Sequence, residues 1–471
     1  MNARLKKESE EWSSLFARIS AHSAAYLDDL DTRPTTPSQV PLLRNKLDQS
    51  GVGTLGALTQ FNERFEALMV GSSGPRYWGF VTGGTTPAAI AGDWLSTVYD
   101  QNPQGLKGPG DVSANVEIET IQLLLDLFHL PADFFGGFVT GATMSNFTCL
   151  AVARQWIGKQ IGVDIAKEGV KKGVKVVAAT PHSSSIKSLS LLGIGSSNVV
   201  KITIEVGNRE AIDVAALEHY LQKNPTEPVI LISSAGTVNT VDFDDFKAIA
   251  KLKEKYSFWW HIDAAFGGFA ACSSHYQHLV EGWEQADSIT IDCHKWLNAP
   301  YESAVFFVKQ KHSLLQVETF QNSNAPYLGN PLENFNYLNF LPENSRRLKA
   351  LSVWFSLIAY GQEGIRSIVD DNINHAVQFG KGIERSLDFE LLAPVRLNTV
   401  CFTLRKETNP DEVTVFLKTL NATGKVFMTP TLYKDRKGIR AAFVNWRTTT
   451  DDVNLVLVLM DEVINQLRNG H

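Results

Sequence analysis

Lys295 stands in ADSITIDCHKWLNAPYESAVFFV, just beyond the short apolar run SITI and ahead of a second one, AVFFV. At that border a lysine loses part of its hydration, and a neutral amine becomes available to attack an aldehyde. Most lysines are solvated surface charges, so the assignment needs partners. Asp263, in WWHIDAAFGGFAA, follows another buried run and precedes small residues. A carboxylate emerging there can pair with a ring nitrogen and keep it protonated, which makes a pyridine an electron sink. Taken alone, an Asp in such a place is more often a turn or helix cap. GGFVTGATMSNFTCLAVAR (136–154) runs a Gly/Thr/Ser/Asn turn directly into an apolar-periodic helix. Such a turn offers free backbone N–H groups and the positive end of a helix dipole to an anion such as phosphate. Many Gly-rich turns only connect elements. His182, in HSSSIKSLSLLGIG after the run KVVAAT, adds an aromatic, hydrogen-bonding side chain at a further strand end.

The combination carries the reading. Phosphate turn, His182, Asp263 and Lys295 each fall at the mouth of one inferred sheet, the place where open α/β sheets bind ligands. Together they suit an aldehyde-bearing, phosphorylated pyridine tethered by an amine. His261 and Asp263 are also metal-ligand types, but we read them as pointing to opposite faces of a strand, with no third ligand in view. No metal site is expected.

The elements that must position these residues follow from periodicity. VILIS (229–233) is a buried strand by length and β-branching; the turn SAGTVNT follows it. DFDDFKAIAKLKEKY then places Phe243, Phe246, Ile249 and Ala250 at helical intervals, and FWWHI (258–262) forms the next strand. That is a βαβ unit, and SITI and AVFFV extend the same α/β logic. Near the N-terminus, Trp12, Phe16 and Ile19 predict an amphipathic helix. From about residue 350, LKALSVWFSLIAYG predicts a long helix, followed by a smaller lobe that includes VCFTLR and IRAAFVNWR.

Composition removes several function classes. With 44% hydrophobic and 10% aromatic residues the 471-residue chain can bury a large core in more than one lobe. Its net charge of −6 includes no dense basic tract, so a nucleic-acid partner is not expected and a small molecule is. Cys149, Cys272, Cys293 and Cys401 fit no zinc spacing and read as reduced, buried thiols of a cytoplasmic protein. MNARLKKESEEW has no signal-peptide core and the apolar runs are strand-length, so neither secretion nor a membrane span is expected.

These segments resemble the group II pyridoxal 5′-phosphate (PLP)-dependent decarboxylases, the family of aromatic-L-amino-acid, glutamate, cysteine sulfinate and histidine decarboxylases. The likeness runs from about Pro75 to about Asp452 and is most specific in DCHKWLNAPYESAV and HIDAAFGG. GATMSNFTCLAVAR, HSSSIKSLSLLGIG, SAGTVNT, SRRLKALSVW and VNWRTTTDDV support it. The resemblance implies the α/β fold type I of PLP enzymes: a large, mixed or parallel sheet domain of seven-stranded type with a smaller C-terminal α/β domain. The expected division is an N-terminal helical segment (1–75) at a dimer interface, a PLP domain (76–350) and a small domain (351–471). It implies that Lys295 carries PLP as a Schiff base, that Asp263 pairs with the pyridine nitrogen and that His182 stacks over the ring. Ala142, Thr143 and His294 match phosphate positions, and Thr237 and Ala265 complete the expected cofactor contacts. Trp78, Phe80 and Thr82 are the expected substrate-side residues. Phe320 to Ser345, with seven Asn and no Lys or Arg, is expected to be a lid, and its Tyr327 matches a tyrosine that protonates the substrate carbon after CO2 leaves.

The implied function is decarboxylation of an aromatic or acidic L-amino acid to its amine, by a homodimer. An oxidative, aldehyde-forming reaction on the same scaffold is the first alternative; candidates for both the loop tyrosine and the stacking histidine favour decarboxylation. A non-catalytic PLP-binding protein is the second, and retention of Lys295, Asp263 and His182 together argues against it. The chain departs from the family pattern at Gly74, where His is frequent, and at Val238, where a second Thr is common. Both bear on the substrate more than on the cofactor. For the substrate, Trp78 and Phe80 suggest an aromatic pocket, Arg76 a cation for an acidic one, and GATMSN lies nearer the glutamate and cysteine sulfinate branch.

Overall fold

A computed structural model describes residues 3–37, 46–106, 112–171, 173–321, 335–405 and 411–469. Seven apolar runs form one sheet: β1 (Phe134–Val139), β2 (Lys175–Ala178), β3 (Val199–Lys201), β4 (Val229–Ser234), β5 (Trp259–Asp263), β6 (Ser288–Ile291) and β7 (Ala304–Lys309). Their spatial order is β1-β7-β6-β5-β4-β2-β3. The five strands from β3 to β6 pair in parallel. β7 is antiparallel to both β6 and β1, because residues 292–303 return the chain directly instead of crossing over through a helix. That return puts Lys295 at the C-terminal end of β6, with Ile291 opposite Val305.

The βαβ unit predicted around VILIS is present. Asp245 caps the helix Phe246–Lys255 by accepting the Ala248 N–H at 2.9 Å, and Phe246, Ile249 and Leu252 are its buried face. Along β5 the two-residue period sends Trp260 and Ile262 into the core under that helix, and Trp259 into the core under the helix Ala142–Gln160 on the other face. Ser145 anchors the latter helix, donating within reach of both Thr290 Oγ1 (2.9 Å) and the Val305 carbonyl (2.8 Å).

The long helix occurs as Ala350–Arg385, interrupted at Gly361, whose φ of 59° a side chain would resist. Its first part packs in the large-sheet core through Val353, Ile365 and Val369; its last part, with Phe379 and Ile383, packs in the smaller lobe. There β8 (Phe389–Leu391), β9 (Thr399–Leu404), β10 (Thr429–Tyr433) and β11 (Arg436–Ala442) form an antiparallel sheet in the order β10-β11-β9-β8. Among the described residues no helix is long and apolar enough to cross a membrane.

Part of the segment expected to be a lid is not one. Phe335 to Ser345 belongs to the packed body: Tyr337 is fully buried, and Phe335, Tyr337 and Phe340 surround Phe135 of β1 at ring distances of 4.9–5.8 Å. Aromatic burial outweighs the asparagines, of which Asn336 bonds locally, its Oδ1 accepting the Leu338 N–H at 3.0 Å. Next to this cluster, Arg346 of SRRLKALSVW meets the fully buried Glu117 at 2.8 and 3.1 Å. Glu117 also accepts the Phe138 N–H (2.9 Å), which ties the pair to the end of β1.

Candidate active site

β1 ends two residues before the helix Ala142–Gln160, whose N-cap Gly141 makes no side-chain cap bond. The N–H groups of this first turn, Ala142 and Thr143 included, are therefore left for an anion, with the helix dipole behind them. The ring of His294 borders this turn, since a Cβ on Gly141 would lie 3.4 Å from its Cε1. His294 is steadied by the Ser303 N–H to its Nδ1 (3.3 Å) and by contact with the Tyr301 ring, centroids 4.3 Å apart. Burial lowers its pKa; Lys295 adds to the effect and Asp292 opposes it.

Asp263 ends β5 and is 8% exposed. Its Oδ2 accepts from Asn146 Nδ2 (2.9 Å) and Ser185 Oγ (3.1 Å), and its Oδ1 from the Ala265 N–H (3.3 Å). Ala265 thus acts through its backbone on the carboxylate. Lys295 Nζ lies 3.2 Å from Asp292 Oδ2, with the other oxygen of Asp292 3.2 Å from His294 Nδ1 but making no hydrogen bond. His182 caps the helix Ser183–Leu191 and keeps accessible surface of its own. Its pKa is lowered by burial first and by Lys295 and Arg440, while Asp263 and Asp292 pull the other way. Those influences place His182, Asp263, Asp292, Lys295 and Arg440 in one electrostatic neighbourhood.

A family model described as the pyridoxal-dependent decarboxylase conserved domain matches residues 60–405, well over half the chain. The chain belongs to that family. It is 26% identical over 478 residues to an aromatic-L-amino-acid decarboxylase of Bacillus atrophaeus, covering 97% of this chain and 96% of that one. It is 27% identical over 395 residues to a phenylacetaldehyde synthase of Petunia hybrida, covering 78% and 76%. The crystal structure of Oryza sativa TDC with PLP and tryptamine superposes with a TM-score of 0.88 at 20% identity, covering 97% and 98%. The fold is that of the fold type I PLP enzymes, and this pyridoxal-dependent decarboxylase is an amino-acid carboxy-lyase that uses PLP.

The residues present fit PLP. The uncapped helix terminus beside His294 suits the phosphate, the triply hydrogen-bonded Asp263 suits a protonated ring nitrogen, and Asp292 holds the Lys295 amine through Oδ2 while its buried Oδ1, facing His294, has no hydrogen-bond partner. Thr237 is placed differently from expectation. Its hydroxyl donates to Glu210 (2.6 Å) and accepts the Asp242 N–H (3.0 Å), so its proton is committed within the protein.

On the substrate side, Trp78 has to be corrected. It is 1% exposed and packs against Phe379 and Phe443 in the smaller lobe, a core residue with its indole N–H on the Pro75 carbonyl. Arg76 is likewise not a free pocket cation: it pairs with Asp452 at 2.5 Å and donates to the Lys425 and Asp31 carbonyls. Phe80 is 61% exposed and leans on Phe427, which stacks on Tyr77 at 4.7 Å. Thr82 accepts from the Tyr301 hydroxyl at 3.4 Å. Tyr327 lies outside the described residues.

The reading of His261 and Asp263 as opposed also has to be corrected. Two residues apart on one strand, they share a face, and both meet Asn146: His261 Nε2 at 2.8 Å from its Oδ1, Asp263 at 2.9 Å from its Nδ2. Asn146, Asp292 and Arg440 were missed by sequence reasoning. Asn146 had a signal, a polar residue on the buried side of an apolar-periodic helix. Arg440 had a weaker one, a cation inside the strand-like run GIRAAFV. Its Nη1 donates to the Val238 carbonyl at 2.7 Å and its Nε has no hydrogen-bond partner.

Proposed function

We propose that Lys295 is the lysine that carries PLP, that Asp263 pairs with the ring nitrogen, that His182 covers the ring, and that the Ala142–Thr143 turn with His294 holds the phosphate. The observation that carries this is convergence: carboxylate, amine, imidazole and uncapped helix end meet where β1, β5 and β6 and the chain just beyond β2 open on one side of the sheet. PLP supplies an electron sink for the bond to the departing carboxylate. The chain's own residues do the rest. Asp263, fixed by three donors, keeps its charge toward the ring nitrogen. Asp292 orients the Lys295 amine. Arg440, whose buried Nε has no hydrogen-bond partner, supplies positive charge near His182 and Lys295. Tyr327 is the proposed acid for the substrate carbon, and closure of its segment would exclude water.

The proposed substrate is an aromatic L-amino acid. Phe80, Tyr77 and Phe427 form an accessible aromatic group, and the exposed Tyr301 is in contact with the His294 beside Lys295. The commitment of Arg76 to Asp452 weakens the acidic alternative. A homodimer is proposed on the stacked Trp12 and Phe16, the second of which meets Trp94 edge-on at 6.3 Å; all three are exposed, as are Val98 and Tyr99 on the helix that carries Trp94. A cytoplasmic location is supported by four free, buried thiols.

Borohydride reduction of PLP-loaded protein, digestion and mass spectrometry should find the pyridoxyl group on Lys295. CO2 release from a panel of L-amino acids should then favour the aromatic ones. An adduct elsewhere overturns the lysine, and a preference for glutamate overturns the substrate.

A further inference from the structure

One fully buried residue links the two sides of the site. We propose that Asn146 is a positioning residue that holds the Asp263 carboxylate and, through Ser184, fixes the neutral His182 ring with its proton on Nε2. The inference rests on the assignment of Asp263 and His182 to the PLP site, and deepens it.

The direction of every hydrogen bond follows from a fixed end. An ionised carboxylate only accepts, so the Asn146 atom 2.9 Å from Asp263 Oδ2 is the amide nitrogen; the reversed amide would set oxygen against oxygen. Asn146 Oδ1 therefore faces His261 Nε2 at 2.8 Å, and since a carbonyl oxygen cannot donate, the His261 proton is on Nε2. His261 Nδ1 then accepts from the Ser288 hydroxyl (2.9 Å), whose oxygen accepts the Trp259 indole N–H (3.0 Å). The full burial of His261 and its lowered pKa agree with a neutral ring.

On the other side, the second Asn146 amide proton points to Ser184 Oγ at 3.2 Å. With that oxygen accepting, the hydroxyl proton is directed to His182 Nδ1, 2.7 Å away. The Ser184 backbone N–H points at the same nitrogen (3.2 Å). Two donors aimed at Nδ1 leave no place for a proton there, so neutral His182 carries it on Nε2. Charging the ring would need a proton on Nδ1, which meets both donors. Of the charged groups around the ring, Lys295 and Arg440 also resist a positive imidazole, while Asp263 and Asp292 favour one. The result is a neutral ring that presents an Nε2–H donor and adds no positive charge beside the group that Asp263 keeps protonated.

The test reads tautomers, not turnover. The full chain, labelled with nitrogen-15 histidine, is studied with PLP and after its removal, and the His182 resonances are identified by their loss in His182→Gln. Two-bond proton–nitrogen correlations are expected to show the Nε2–H form in both states. Ser184→Ala deletes the hydroxyl donor and leaves the Asn146 bond to Asp263 in place. It should let the Nδ1–H form appear and give about tenfold more imidazolium at a given pH, the worth of one hydrogen bond. Asn146→Asp should turn the Ser184 hydroxyl toward the new carboxylate and raise the imidazolium fraction further. An Nδ1–H tautomer in the unmodified protein, or a Ser184→Ala protein whose tautomer and titration do not move, overturns the proposal. Absence of a pyridoxyl adduct on Lys295 would remove the PLP assignment alone, because the cofactor-free protein still reports the tautomer.

Discussion

Replacing Asp263 with Asn separates the charge of this residue from its shape. Oδ2 is where Asn146 and Ser185 converge, at 2.9 and 3.1 Å, whereas Oδ1 takes a single long bond from the Ala265 N–H at 3.3 Å. The new amide will therefore keep its oxygen on the Asn146 side and turn its NH2 toward Ala265. That loses one hydrogen bond, about 1 kcal/mol of stability. The loss of charge is the larger effect. An ion pair at about 4 Å in an effective dielectric of about 20 is worth about 4 kcal/mol, equivalent to roughly three powers of ten in the protonation of the ring nitrogen. If turnover follows the protonated fraction, kcat at saturating PLP and amino acid should fall about a thousandfold, while Tm drops by no more than about 4 °C. The assay is initial-rate CO2 release beside a thermal melt of the same PLP-loaded samples, with borohydride trapping on Lys295 to show that the cofactor is still held. Retention of more than a tenth of kcat in a fully loaded protein would refute the reasoning, because the ring nitrogen would then not need this anion.

The two aromatics that the sequence placed on the substrate side should behave oppositely. Trp78→Ala should cost about 3–5 kcal/mol of stability in urea unfolding, as a core truncation, whereas Phe80→Ala should leave stability within about 0.5 kcal/mol and raise KM for aromatic substrates. Arg346→Met leaves the fully buried Glu117 charged and unpaired, and should cost about 3–5 kcal/mol; adding Glu117→Gln should recover most of it, and additive losses would refute the pairing. For pH, the lowered pKa of buried His261 means that the unfolded chain takes up a proton, below about 6.5, that the folded chain refuses, so stability is lost as pH falls. Asp244, pushed up to about 6 by burial, works in the opposite sense between about 6 and its ordinary 3.8, so the difference between His261→Gln and the unmodified protein is the quantity to measure. That difference should grow by about 1.4 kcal/mol for each pH unit between 6.5 and about 4 and then level off, and a constant difference would refute it.

Local patterns made the strands legible. SITI is β6 residue for residue, VILIS and FWWHI each fall within one residue of β4 and β5 at either end, and the long helix begins within a few residues of where its pattern does. The positions of the candidate residues at strand ends were legible for the same reason: Asp263 closes one short, wholly buried run and Lys295 follows another. What escaped is what local pattern does not encode. Asn146 looks like one more polar residue in a Gly/Ser/Thr turn until its amide is seen between His261 and Asp263, 115 and 117 residues further along the chain. Trp78 and Phe80 read alike as aromatics, yet one is core and the other surface, because β11 and the helix Ala350–Arg385 cover the first alone. The aromatic residues Phe335 to Phe340 were hidden by their asparagines, since composition weighs polarity and not the presence of Phe135 opposite.

The placement of Lys295 shows why a motif is only half of a site. Its loop is held by Asn298, which is buried with φ at 55° and uses its whole amide. Oδ1 accepts the N–H groups of Gly84 (3.0 Å) and Trp446 (3.1 Å), while Nδ2 donates to the carbonyls of Trp296 (2.7 Å) and Val444 (3.0 Å). The stretch after Phe80 and the chain beyond β11 are thereby tied to the turn that carries the lysine. The fit is tight, since a Cβ on Gly83 would come within 1.9 Å of the Lys295 carbonyl oxygen. A side chain at Gly83 would have to displace the lysine loop or the segment crossing it. The turn that carries Lys295 is therefore packed against residues from both ends of the chain, and Val444 and Trp446, just beyond β11, help to fix the proposed site.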